Sequence, residues 1–148
     1  MYNHVLIATD GSAPAERAVA DGVMLAKAIG ARVTVLTVTE MWAATEMAEA
    51  YRRGAQHPTE DYEHDEAAQA DKILKRAAHI AKAAGSECET IHLKDTAPAE
   101  GIVKTAETRN CDMIVMGSYG RRGLDKLIMG SQVDKVRALT TKTLLIHR

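Results

Sequence analysis

The feature that most constrains the fold is a short apolar segment that ends abruptly in glycine. Ile114, Val115 and Met116 form a continuous apolar run of strand length, which is typical of a strand buried on both faces of a parallel sheet. Gly117 follows directly, with two further glycines at three-residue spacing. Glycine permits φ > 0 and the close approach of another group. The pattern therefore predicts a central strand that ends in a tight, accessible loop.

A helix is predicted to begin where this loop ends, at Gly130 and Ser131. Ser131 and Asp134, three positions apart, resemble a capping box and predict a last helix over about residues 131–139. The first N–H groups of a helix are unpaired and lie at the positive end of its dipole. A glycine loop that leads into such a start is a natural phosphate site.

The rest of the chain alternates predicted strands and helices. Strands are expected at residues 5–9, 32–38 and 87–93 and at Thr143–His147, the third of them at a sheet edge. Helices are expected from Ser12 or Asp10 to Gly30, over 59–84 and over 96–108. This alternation favours a doubly wound, Rossmann-like α/β fold in a single domain spanning residues 1–148. Residues 41–57 have no apolar periodicity, which predicts a loop or a loosely held helix.

Composition excludes several classes of protein. The 148 residues are 46% hydrophobic and 26% charged, with a formal net charge of −1, so no general attraction to nucleic acid or anionic membranes is expected. No apolar run approaches membrane-spanning length, and no leader pattern precedes the first strand. Cys88 and Cys111 are far apart in sequence and are interpreted as buried free thiols. A cytoplasmic location is the expectation.

The spacing Gly-x2-Gly-x9-Gly-Ser, formed by Gly117, Gly120, Gly130 and Ser131, resembles the nucleotide-binding signature of the universal stress protein family, in its ATP-binding subgroup. The opening segment HVLIATDGS, residues 4–12, is similar to the family's first strand and the Asp that follows it. The resemblance covers essentially the whole chain. It implies a five-stranded parallel sheet flanked by helices, with strand order 3-2-1-4-5.

That order places the first and fourth strands side by side, so Asp10 and Gly117 should meet in one crevice. By resemblance, the ligand is ATP, with Mg²⁺ or Mn²⁺ bound through Asp10. The ribose is expected near Gly117 and Asp10 and the adenine near Val38. The full set of expected contacts, with the phosphates on the loop and helix amides, is Asp10, Val38, Gly117, Gly120, Gly130, Ser131, Gln132 and Val133. The resemblance also implies a homodimer, formed through Thr143–His147.

The chain departs from the family pattern at Gln132 and Val133, where a small apolar residue and then often a hydroxyl residue are usual. It also lacks the Cys-Pro that commonly precedes the last strand, and it carries a long segment after the second strand. Gln132 and Val133 keep a second hypothesis open, a dimeric interaction protein of the same family that binds no nucleotide. The leading hypothesis is an ATP-binding regulatory or sensing module in the stress response.

Three further interpretations remain open. A slow ATPase or phosphotransferase is conceivable, although neither GxxxxGK[ST] nor GxGxxG is present and no catalytic residue is identified. Residues 120–123 form a GxxG like an RNA-backbone clamp, but the sequence has one Trp and no Phe for base stacking. His57, Asp61, His64 and Asp65 could bind a divalent metal, yet they fit better as the acidic start of a helix.

Overall fold

One parallel sheet organises the computed structural model of the chain, and its strand order is β3-β2-β1-β4-β5. The structure describes residues 1–118 and 126–148, with the backbone alone for 126–131. The predicted doubly wound fold and strand order are confirmed. The strands are β1 (His4–Ala8), β2 (Arg32–Val38), β3 (Glu89–Leu93), β4 (Met113–Gly117) and β5 (Thr143–His147), and the helices are α1 (Ala13–Ile29), α2 (Ala44–Arg52), α3 (Pro58–Ala83), α4 (Pro98–Thr108) and α5 (Lys126–Leu139).

Helices cover both faces of the sheet, so its central strands are buried on both sides between two apolar layers. On one face, strand residues such as Leu6 and Ile114 pack against α4 and α5. On the other face, Ile7 and Val115 pack against α1 and α3. All five residues of β1 and of β4 are buried, as a continuous apolar run predicts.

The chain reverses its direction of travel across the sheet between β1 and β4. Strands β1, β2 and β3 are added in one direction through α1 and α3, and α4 then returns the chain to the other side of β1. Residues Ala8 of β1 and Met116 of β4 are paired in register. A crevice is expected outside the carboxyl ends of these two strands, where the order reverses.

Helix α1 begins and ends with the capping residues that the sequence indicates. Ser12 is the N-cap, and its Oγ accepts a hydrogen bond from Ala15 N at 3.3 Å. Gly30 ends the helix in the left-handed region with φ 71°, where glycine carries no steric penalty. Of the two predicted capping residues, Ser12 caps the helix, whereas Asp10 stabilises the turn that precedes it.

The predicted start of the last helix is wrong, because α5 begins at Lys126 and not at Ser131. The segment 126–129 is Lys-Leu-Ile-Met, whose residues are compatible with helix, and Gly130 costs only about 1 kcal/mol inside a helix. A Ser-x-x-Asp pattern can therefore lie within a helix as well as at its start. The other boundaries differ from the predicted ones by at most two residues.

Residues 41–57 contain helix α2, so the alternative of a loosely held helix describes them better than a loop. No residue of α2 is buried. The element that it contacts most is α3. The lack of a periodic apolar face in the sequence agrees with the exposure of this helix in the structure.

Asp112 ties the amino ends of β1 and β4 together. Its Oδ2 accepts hydrogen bonds from Asn3 N at 2.7 Å and from His4 N at 3.0 Å, and its own N–H donates to His4 O at 2.8 Å. The neighbouring Cys111 is fully buried, and burial raises the pKa of its thiol to about 11, with a further contribution from the Asp112 carboxylate. Cys111 is therefore a core residue.

Cys88 is only partly buried, which corrects the prediction of two buried thiols; both cysteines are free. It precedes the edge strand β3, where one helix layer covers it incompletely. Among the helices of the described residues, none is long and apolar enough to cross a membrane.

Candidate functional site

A cleft opens at the carboxyl ends of the central strands, on the face of the sheet that α4 and α5 cover. It encloses about 150 Å³ and opens to solvent. Strands β1, β2 and β4 each contribute their last residues to it. The residues that line it are Ala8, Thr9, Asp10, Ala15, Leu36, Val38, Pro98, Ile102, Met116, Gly117 and Gln132.

Four of the eight predicted site residues therefore lie around one cleft: Asp10, Val38, Gly117 and Gln132. They come from the ends of two strands, the turn after a third and one helix, and more than 120 residues of sequence separate the first from the last. Their convergence follows from the strand order, since parallel strands end at the same edge of the sheet.

The turn after β1 holds Asp10 at this edge. Its Oδ1 accepts a hydrogen bond from Ser12 N at 3.0 Å, and Gly11 N donates to Thr9 Oγ1 at 3.2 Å. Gly11 has φ 79°, and a Cβ at this position would lie 2.6 Å from Ile73 Cγ1 on α3. No larger residue fits here without strain. The carboxylate is thus positioned by a turn that is packed from behind.

Helix α4 supplies the apolar wall that sequence reasoning missed. Gly101 allows it to approach closely, since a Cβ there would lie 2.9 Å from Leu93 Cδ2 and 3.4 Å from Val38 Cγ1. This approach brings Pro98 and Ile102, at the first turns of α4, into the cleft. The topology indicates this wall, because a helix that follows β3 begins at the carboxyl edge of the sheet.

Gly117 ends β4, and the residue after it is anchored to the outer strand. Ser118 N donates to His147 O at 2.8 Å, which continues the register of Gly117 with His147. The hydroxyl oxygen Ser118 Oγ is buried and has no hydrogen-bond partner among the described residues. The start of the glycine loop is therefore fixed to the sheet.

Gln132 and Val133 occupy different environments although they are adjacent. Gln132 lines the cleft, and its Oε1 is buried without a hydrogen-bond partner in the described part of the chain. Val133 is 7% exposed and packs in the core that α4 and α5 form with the sheet. The side chain of Val133 contributes to the core rather than to the cleft wall.

The remaining predicted residues lie in the glycine-rich segment. Gly120 is outside the described residues. Gly130 and Ser131 are in the backbone of α5, as its fifth and sixth residues. Helical N–H groups beyond the first four bond to carbonyls of the preceding turn, so in this helix the amides of both residues occupy paired positions.

The described lining of the cleft is mostly apolar, and Asp10 is the only ionisable residue in it. An apolar slot with one carboxylate and one amide suits a planar ligand with a polar end.

The alternative sites from the sequence gain no structural support. No three His, Cys, Asp or Glu side chains among the described residues, which include His57, Asp61, His64 and Asp65, are grouped to hold a metal ion. The GxxG segment at residues 120–123 lies outside the described part of the chain.

Comparisons with known proteins agree with this architecture. A family model described as "Universal stress protein family" matches residues 1–148. Universal stress protein YxiE of Bacillus subtilis is 32% identical over 149 residues, covering 100% of both chains. The universal stress protein in the QAH/OAS sulfhydrylase 3′ region of Thermus aquaticus is 30% identical over 152 residues, again covering 100% of both.

A solved structure of a universal stress protein in complex with cAMP is 25% identical, with a TM-score of 0.71, and the match covers 99% of this chain and 97% of that one. Both the sequence and the fold are thus shared along the full length of these proteins. The chain therefore belongs to the universal stress protein family.

Proposed function

We propose that the cleft binds an adenine nucleotide, ATP together with Mg²⁺ or Mn²⁺, and that the protein acts as a regulatory or sensing module in the stress response. The observation that carries the proposal is the meeting of Asp10, Val38, Gly117 and Gln132 around one cleft at the reversal of strand order. The structural relative in complex with cAMP supports an adenine nucleotide as the class of ligand.

The cleft fits the two parts of such a ligand. Val38, Ile102 and Met116 give it apolar walls, against which a base loses water-exposed apolar surface. Gly117 lets the ribose approach the end of β4 without a Cβ in the way. Asp10 offers a carboxylate to a ribose hydroxyl or to a hard cation, which prefers oxygen ligands. A bound Mg²⁺ would supply charge neutralisation for the phosphates.

The phosphates are proposed to extend toward the glycine-rich segment, where the amides of Gly120, Gly130, Ser131 and Gln132 are the expected donors, with Val133 beside the terminal phosphate. In the present helix the amides from Gly130 onward take paired positions. Phosphate binding there requires the helix to begin later in the bound protein. These amides can therefore bind phosphate only after a change in the first turns of α5.

Calorimetry with ATP, ADP, AMP, cAMP and GTP tests the proposal directly. We expect saturable binding of adenine nucleotides, and weakening by about tenfold or more in an Asp10→Ala variant. Asp65→Ala is the matched control, because Asp65 is an exposed carboxylate on α3. Thermal melting should confirm that both variants are folded, since Asp10 also accepts the bond from Ser12.

Absence of binding by the unmodified protein would refute the nucleotide proposal and leave the dimeric interaction protein as the better account. Binding that Asp10→Ala leaves unchanged would keep the nucleotide but move its site.

Assembly and location complete the proposal. Strand β5 forms one edge of the sheet, and uncovered edges tend to pair with other strands, so we propose a homodimer formed through Thr143–His147. Cys88 and Cys111 are free, which supports a reducing compartment such as the cytoplasm.

A further inference from the structure

A buried oxygen atom in the cleft lacks the partner that its position demands. Gln132 Oε1 is buried, and the described residues provide no hydrogen bond to it. Buried polar atoms in proteins are nearly always paired, and an unpaired one destabilises the fold. An atom kept in this state at the wall of a cleft calls for a functional reason.

The surroundings of Gln132 identify what is missing. Gln132 lines the cleft together with Leu36, Ile102 and Met116, whose side chains offer no hydrogen-bond donor. The Thr9 hydroxyl also lines the cleft but makes no hydrogen bond to this oxygen. A carbonyl oxygen only accepts hydrogen bonds. A ligand in the cleft can bring the N–H or O–H group that this oxygen would accept.

We propose that Gln132 Oε1 is a specificity-determining acceptor, which selects nucleotides carrying a hydrogen-bond donor where the ligand enters the apolar part of the cleft. This inference rests on the proposed nucleotide function and adds to it a role for the side chain of Gln132. Adenine nucleotides offer two sources of such a donor, the 6-amino group of the base and the hydroxyl groups of the ribose.

An acceptor of this kind affects the choice between ligands more than it affects the affinity for any one of them. A ligand with the donor pairs an oxygen that is already desolvated, so little further desolvation opposes the bond. A ligand without the donor leaves the oxygen buried and unpaired in the complex, and sites built around a hydrogen bond reject such analogues strongly. In the ligand-free protein the unpaired oxygen lowers the free energy of unfolding.

The test compares ATP with three triphosphates that each lack one donor: purine riboside triphosphate without the 6-amino group, 2′-deoxy-ATP and 3′-deoxy-ATP. Calorimetry on the unmodified protein should show about tenfold weaker binding for one of the three. The analogue that is disfavoured identifies the donor.

A Gln132→Met variant, similar in length but without the amide, should bind ATP and that analogue within about twofold of one another. Its melting temperature without ligand should rise by a few degrees, because the unpaired oxygen is gone. Gln56→Met is the matched control, since Gln56 is exposed and lies outside the cleft. This control should keep the full preference for ATP.

Equal binding of all four triphosphates by the unmodified protein would overturn the inference while leaving the nucleotide site intact. So would a preference that Gln132→Met retains. Failure of the unmodified protein to bind any of the four would overturn both this inference and the proposed function.

Discussion

Trp42 and Tyr62 stack face to face, with ring centroids 4.8 Å apart and planes 5° from parallel. The Tyr62 hydroxyl also donates to Glu40 O at 3.1 Å. Burial, together with nearby carboxylates such as Glu66, raises the pKa of Tyr62, so the phenol remains a neutral donor at physiological pH. The stacked pair and the hydrogen bond attach residues 40–42, which follow β2, to helix α3. Helix α2, which comes next in the chain, has no buried residue.

We predict that residues 41–57 exchange their amide hydrogens fastest among the described helices and loops, except at the stacked pair, because few buried contacts oppose local opening. Exchange should slow when ATP is added, since Val38 at the end of the preceding strand lines the cleft. Hydrogen exchange by mass spectrometry measures both states. Tyr62→Ala should speed exchange further and change the fluorescence of Trp42, the only tryptophan. Strong protection without ligand would contradict this prediction.

Replacing Gly130 with valine should weaken ATP binding about tenfold or more, because a branched Cβ blocks the close approach of a phosphate. The fold should persist, since valine is no worse than glycine within a helix. Calorimetry and melting measure the two effects. Ala138→Val, at an exposed position of α5, controls for β-branching. Unchanged affinity would show that the amides stay paired in the helix and that the phosphates bind elsewhere.

The unmodified protein should be a dimer at micromolar concentration, and Ile146→Pro should make it a monomer. Because His147 bonds to β4 in this register, alternate residues 145 and 147 face β4, and proline at position 146 removes an N–H from the open edge of β5. Ile146 also packs against the core on the α4 and α5 face, so melting must confirm that the variant is folded. Thr143→Lys, at the exposed start of the strand, is a milder second variant. Light scattering measures mass, and a monomeric unmodified protein would disprove the interface.

ATP should be turned over far more slowly than the roughly 1–100 s⁻¹ of ordinary kinases. Asp10 is the one ionisable group among the described residues that line the cleft, and catalysis depends on preorganised charges. Phosphate release with Mg²⁺ measures turnover, and a rise in melting temperature with ATP measures binding. Kinase-like release that Asp10→Ala abolishes would make this protein an enzyme.

Asp112→Asn should destabilise the protein at neutral pH but not in acid. Hydrogen bonds from the backbone N–H groups of Asn3 and His4 lower the pKa of Asp112, so the ionised form is favoured in the folded state. That stability is present above the unfolded pKa of about 3.9 and is lost as pH falls through the folded pKa. Asparagine keeps an acceptor oxygen and removes only the charge.

Melting of both proteins from pH 7 to pH 2 checks this expectation. The difference in melting temperature should shrink below about pH 4, whereas Asp65→Asn, at an exposed carboxylate, should show little difference at any pH. A difference that persists at pH 2 would mean that the amide disturbs the packing at the ends of β1 and β4.

The parts of the fold that sequence reasoning predicted well are those where local preference and tertiary burial agree. The β-branched segment Arg32–Val38 and the capped helix that ends at Gly30 behave as their residues indicate. The start of α5 was missed because Ser131 and Asp134 have cap-like spacing in any context, and only the neighbouring backbone decides whether a helix has already begun.

The candidate site divides in the same way. Asp10 and Gly117 could be placed together once the family resemblance implied the strand order, whereas Pro98 and Ile102 depend on how closely α4 approaches β2 and β3. That distance is set by Gly101, which lies in contact range of Leu93. No periodicity in the sequence encodes such an approach, since it arises from side-chain volumes on three separate segments.

The turn that presents Asp10 is held from the side of the sheet away from the cleft, where Ile73 of α3 fills the space that a side chain at position 11 would need. The proposed nucleotide site thus depends on packing at α3 as well as on the residues that line the cleft. A random-mutagenesis screen for altered nucleotide affinity should accordingly return substitutions at position 73 together with those in the cleft, and a map of the affected positions would cross the sheet.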